Sequence, residues 1–127
     1  LNSNSEKPFL SSGRLIENYK LLINYMKQCR DVGLDCSSLI PSSDFLLEVK
    51  RLVESGYISK FSDLVRVVEK KFGSLVSCDL ALRVFTEIHG HTVSCDLVKN
   101  MLIIQLAGWI IEMLETLGYV KIRFSWR

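Results

Sequence analysis

The sequence predicts an all-α fold built as a single domain. Three observations carry that expectation. Apolar residues recur at the three-and-four spacing of a helix face through most of the chain, and clusters of Gly, Pro and Ser divide it into helix-length pieces. Strand-like alternation is confined to Val120, Ile122 and Phe124, with no second strand visible to pair with them. A length of 127 residues with 48% hydrophobic side chains suits one buried core.

Taken in order, residues 1–13 are rich in Ser and Asn and have little apolar periodicity, so they are expected to form a flexible leader to a helical domain spanning 14–127. Leu15, Ile16, Tyr19, Leu22, Ile23 and Met26 place one stripe along a first helix from Arg14 to about Arg30. Gly33, two Ser pairs and Pro41 then make 31–43 a loop containing a short turn. Asp44 is the expected cap of a second helix carrying Phe45, Leu46, Val49, Leu52 and Val53, with Gly56 as its stop. Phe61, Leu64, Val65, Val68 and Phe72 repeat the pattern in a third helix, which Gly73 ends.

The second half contains an echo, Val76-Ser77-Cys78-Asp79-Leu80 recurring as Val93-Ser94-Cys95-Asp96-Leu97. Each copy reads as a helix start, with a capping Ser and an Asp where the helix dipole favours negative charge. Two such helices separated by His89-Gly90-His91 predict an antiparallel hairpin. The last helix, from about Cys95 to Leu117, is apolar on nearly every side and belongs in the middle of a bundle, with Gly108 as a point where it could divide.

The formal net charge of +2, from 16 basic and 14 acidic residues spread along the chain, provides no concentrated footprint for nucleic acid. Cys29, Cys36, Cys78 and Cys95 are too scattered for a disulfide framework and are expected to be reduced thiols. A secreted helical mediator with one or two bridges is the alternative. His89 and His91 would need two further ligands to hold zinc, Cys78 and Cys95 sit where a helix N-terminus favours a thiolate, and the glycines form no phosphate loop. No catalytic constellation assembles, so neither an enzyme nor a cofactor is expected. What remains is apolar helix surface in excess of one core, the material of a helix-accepting groove.

Several segments, in order, resemble the Bcl-2 family, especially the short, divergent versions carried by large DNA viruses. Arg14-Leu15-Ile16-Glu17-Asn18-Tyr19 is similar to the amphipathic first helix of that family. Val67-Val68-Glu69-Lys70-Lys71-Phe72 resembles the approach to its first homology region, and Arg83-Val84-Phe85 with Gly90 resembles part of that region. The family's Asn-Trp-Gly-Arg is represented only by Leu80-Ala81-Leu82-Arg83. Gly108-Trp109-Ile110-Ile111-Glu112 resembles the Gly-Trp of the second homology region, and Phe124-Ser125-Trp126 a Phe-Ser-Trp that follows it in some viral members.

The resemblance implies a Bcl-2-like helical bundle around a central helical hairpin, with a groove between Asp44 and Ile88 that takes the BH3 helix of a pro-apoptotic, Bim-like partner and so inhibits apoptosis. The implied lining is Phe45, Val49, Leu52, Phe61, Leu64, Val65, Val68 and Phe85, with Arg83 as the cation that pairs with the ligand's aspartate. It also implies residence in the host cytoplasm or at the mitochondrial outer membrane, with membrane attachment only through an anchor following Arg127. A homodimer is a further expectation, because an exposed apolar groove tends to find a second copy. The same fold class includes inhibitors of innate immune signalling that act through surface contacts, which is the alternative function.

Overall fold

The computed structural model describes residues 7–12, 16 and 18–124, and of Phe124 only the backbone. Arg14, Leu15, Glu17, Ser125, Trp126 and Arg127, named above in the expected first helix, the Phe-Ser-Trp and the chain end, lie outside the described residues. The elements run β1 (Phe9–Ser12), α1 (Lys20–Asp31), α2 (Ser43–Glu54), α3 (Phe61–Phe72), α4 (Cys78–His89), α5 (Cys95–Thr116) and β2 (Lys121–Phe124). Short 3-10 turns at Cys36–Leu39 and Gly73–Leu75 fill two of the connections. The all-α expectation therefore holds for the bulk of the molecule, and the predicted turn within 31–43 is present.

Local chemistry sets the helix starts. The Ser42, Ser77 and Ser94 hydroxyls accept the backbone N–H groups of Phe45, Leu80 and Leu97 at 3.1, 3.3 and 3.2 Å, each satisfying one donor that the first turn leaves free. Asp44, expected as the cap of α2, lies inside its first turn, as Asp79 and Asp96 do in α4 and α5. Helix α1 starts at Lys20, six residues later than predicted, and Ile16 precedes it as non-helical chain. Its first amide donor is met locally, the Lys20 N–H donating to Asn18 Oδ1 at 2.9 Å, and another from a distance, the Leu22 N–H donating to Oε1 of Gln105 in α5 at 2.9 Å. A polar side chain in the most apolar helix thus serves another helix as its cap.

The leader expectation fails at residues 9–12. They form β1, which pairs in parallel with β2, Phe9 opposite Lys121 and Ser12 opposite Phe124. The strand is held because Leu10 is fully buried and because the Ser11 N–H donates to the Ser59 carbonyl at 3.0 Å, joining it to the start of α3. Four residues reading Phe-Leu-Ser-Ser carry too little periodicity to announce a strand.

Helix α5 runs unbroken through Gly108, with nine buried residues from Val98 to Leu114, and packs against α1, α2, α3 and α4. By length and composition it could also cross a membrane; in this fold it is the axis of the core. Gly108 serves packing here: a Cβ at that position would lie 2.8 Å from Cβ of Ile16.

The antiparallel hairpin is corrected. Cys78 and Cys95, at the N-termini of α4 and α5, are joined in a disulfide with their Cα atoms 5.6 Å apart. An antiparallel pair would set Cys95 near the far end of α4, about 18 Å away for a 12-residue helix. The linker instead doubles back after Gly90, which adopts φ +78°, and the His91 ring meets Phe85 at 5.5 Å, a turn before the end of α4. Two positive helix ends are thereby brought together, and Asp79 and Asp96 offset their partial charges. The expectation of reduced thiols is overturned for this pair, while Cys29 and Cys36 are free.

Candidate functional site: the cleft between α2 and α5

Of the residues predicted to line a groove, Phe45, Val49, Leu64, Val68 and Phe85 are buried in the core, and Leu52, Phe61 and Val65 are half-buried against it. Phe45 meets Phe72 edge-on at 5.3 Å with the Lys71 ammonium over its ring. Phe85 is covered by His89 and His91. These side chains are brought together in one hydrophobic cluster, five of them buried and three half-buried. Arg83 is exposed on α4 and makes no ion pair among the described residues. Each helix turns its strongest apolar stripe inward, a stripe that reads equally as core and as groove lining.

An apolar cleft opens elsewhere. Leu46 of α2 faces Trp109, Glu112, Met113 and Thr116 of α5, and Leu117 just past it, across a depression of about 400 Å³. The spacing of the α5 residues is that of one helix face two turns long. Trp109 and Met113 are half-buried and Leu117, just past the helix, is half-exposed at 51%. Sequence reasoning missed this face for a physical reason: α5 is apolar all round, so no stripe stands out, and only the burial supplied by its neighbours shows which side is left open.

The wall behind the cleft is set by Gly108. Because it has no side chain, Ile16 and Tyr19 press against α5, and the Tyr19 hydroxyl is buried beside Glu112 without a hydrogen bond of ordinary geometry. Burial, and then the neighbouring Glu112 carboxylate, push the Tyr19 pKa well above the usual phenol range, so the phenol stays protonated. Glu112 is the acidic group at the cleft wall, beside four apolar side chains.

A second depression, about 260 Å³, lies between α1 and α4 and is lined by Lys20, Asn24, Gln28, Val84, Glu87 and Ile88. Gln28 Nε2 donates to Glu87 across it at 2.7 Å, so it is polar and already bridged. Among the described residues no three His, Cys, Asp or Glu side chains gather to hold a metal, and the rings of His89 and His91 are engaged with Phe85. Comparison of the chain with protein-family models, curated proteins and solved structures returns no match.

Proposed function

We propose that this chain is a protein-binding helical module and that the α2–α5 cleft takes an amphipathic helix of a partner protein. The observation that carries the reading is the cleft itself: an apolar depression of about 400 Å³, framed by Leu46, Trp109, Met113 and Leu117, with one carboxylate, Glu112, at its wall. Helix-in-groove recognition draws its affinity from apolar anchor positions of this kind, and Glu112 would set register through a basic residue of the bound helix, not through its aspartate. A tryptophan in such a surface is a side chain that often dominates binding.

The Bcl-2 resemblance makes the BH3 helix of a pro-apoptotic protein the first ligand to test, and inhibition of apoptosis by its sequestration the implied outcome. Trp109, part of the Gly-Trp on which that resemblance leans, lines the cleft. A second reading, a helical mediator working where disulfides persist, is favoured by the Cys78–Cys95 bond.

Calorimetric titration with a panel of BH3 peptides tests the proposal. At least one peptide is expected to bind, with affinity lowered about tenfold or more by Trp109→Ala or Met113→Glu and unchanged by Arg83→Ala. Loss of binding on Arg83→Ala alone would move the ligand to the exposed side of α4. Silence from the whole panel would remove BH3 recognition and leave the mediator reading.

A further inference from the structure

We propose that Cys29 and Cys36 are the site of a second intramolecular disulfide, formed by exchange with a small-molecule disulfide of the glutathione type. The end of α1 is built to bring the two together. Gly33, at φ +80°, reverses the chain, and the Leu34 N–H donates to the Cys29 carbonyl at 3.0 Å. The Leu34 carbonyl in turn accepts the Cys36 thiol at 3.4 Å, so one residue holds both cysteines. Asp35 fixes the 3-10 turn that carries Cys36 by accepting the Ser37 N–H at 3.2 Å and the Ser37 hydroxyl at 2.6 Å. In this arrangement the two thiols are near enough for each to act on the other's protonation.

Their exposure divides the labour. Cys36 is partly open to solvent and Cys29 is buried at 3%. Burial first, and then contact with Cys36, raise the Cys29 thiol to about 11, which keeps it protonated and unreactive until a sulfur is presented to it. Cys36 loses its proton to solvent and attacks one sulfur of oxidised glutathione; the glutathione S–S bond breaks and the departing thiolate takes a proton. Cys29 then gives up its proton and attacks the Cys36 sulfur of the mixed disulfide, forming the protein S–S bond and releasing the second glutathione. Two protein thiols are oxidised and one glutathione disulfide is reduced to two thiols.

The new bond's α1 end would stand one turn from a contact with the residue next to the existing bond. Tyr25, one turn before Cys29, is buried and accepts the N–H of Ser77, the residue before Cys78, at 2.8 Å. The two crosslinks would therefore flank the contact that ties α1 to the start of α4.

Incubation of the full chain in oxidised glutathione, acid quenching, alkylation, and intact-mass and peptide mapping tests the proposal. The wild type is expected to lose two alkylation sites, to retain no glutathione, and to yield a peptide pair linked through Cys29 and Cys36. Cys29→Ala should stop at a mixed disulfide carrying one glutathione on Cys36, and Cys36→Ser should take up none. The wild-type map decides the matter even if a variant fails to fold. Glutathione retained on Cys36 of the wild type, both thiols alkylated after oxidation, or either one linked to Cys78 or Cys95 would each overturn it.

Discussion

Gly108 stands where α5 meets the chain entering α1, and its missing side chain is a packing requirement. An added methyl would meet Ile16 Cβ and Cγ1 at 2.8 and 2.9 Å, atoms at the stem of a β-branched residue that cannot swing aside. Overpacking of this kind costs about 1–3 kcal/mol, against roughly 1 kcal/mol that alanine gains over glycine inside a helix. Gly108→Ala is therefore expected to lower stability by up to about 2 kcal/mol in a denaturant titration. Gly73 makes the opposite case: its φ is −57° and the nearest atom to an added Cβ, Glu69 Cγ, lies at an ordinary 3.5 Å. Gly73→Ala should raise stability by about 0.5 kcal/mol, and an equal response of the two positions would show that the Ile16 contact does not govern Gly108. Little of this was readable in the sequence. Gly108 looked like a break because glycine weakens helices, and only the partner segment shows why the helix carries it. Gln105 and Tyr25 are similar, since their bonds to the amides of Leu22 and Ser77 span 83 and 52 residues.

At the scale of the element, caps were legible and reach was not. The repeated Val-Ser-Cys-Asp-Leu marks two helix starts because its signal is local, a hydroxyl three residues before the amide it satisfies. Helix α3 has a different start. Asp63, in its first turn, accepts the Ser59 N–H at 3.0 Å, the Ser59 hydroxyl at 3.2 Å and the Lys60 N–H at 3.3 Å, and pairs with Arg66. These donors, the Ser59 amide foremost, hold its carboxyl below the usual carboxylate range against the opposing effect of burial. A carboxyl whose pKa is lower in the folded than in the unfolded chain stabilises the fold above the unfolded value, near pH 4, and that contribution is lost as pH falls through the folded value. Asp63→Ala is expected to cost about 1 kcal/mol at pH 7, with the difference from wild type closing at low pH. Thermal unfolding across pH checks this, and a difference that does not vary with pH would assign the loss to packing instead. The same start of α3 anchors β1 through Ser59, so the strand missed in the leader depends on the geometry Asp63 sets.

For the whole molecule, composition and periodicity led to the right class of fold and to helices α2, α3, α4 and α5 near their observed bounds. They could not supply the path between α4 and α5. A linker of five residues is compatible both with a hairpin and with a return along α4, and the choice rests on tertiary contacts: Phe85 receiving His91, and Cys95 meeting Cys78. The site was hidden by the same ambiguity at a larger scale. Apolar stripes on α2, α3 and α4 read equally as core or as groove, and the structure spends them on core; the open apolar surface lies on α5, where the sequence has no polar face to contrast with it. A surface of this kind is small for a stable assembly, so the partner segment is expected to be short and helical.

The central claim is the location of that surface, and mapping backbone amide shifts during titration with a binding BH3 peptide addresses it most directly. The account expects the perturbed amides to concentrate at Leu46 and along Trp109, Glu112, Met113 and Leu117. Perturbation centred on Arg83 and the exposed side of α4, with α5 silent, would contradict it.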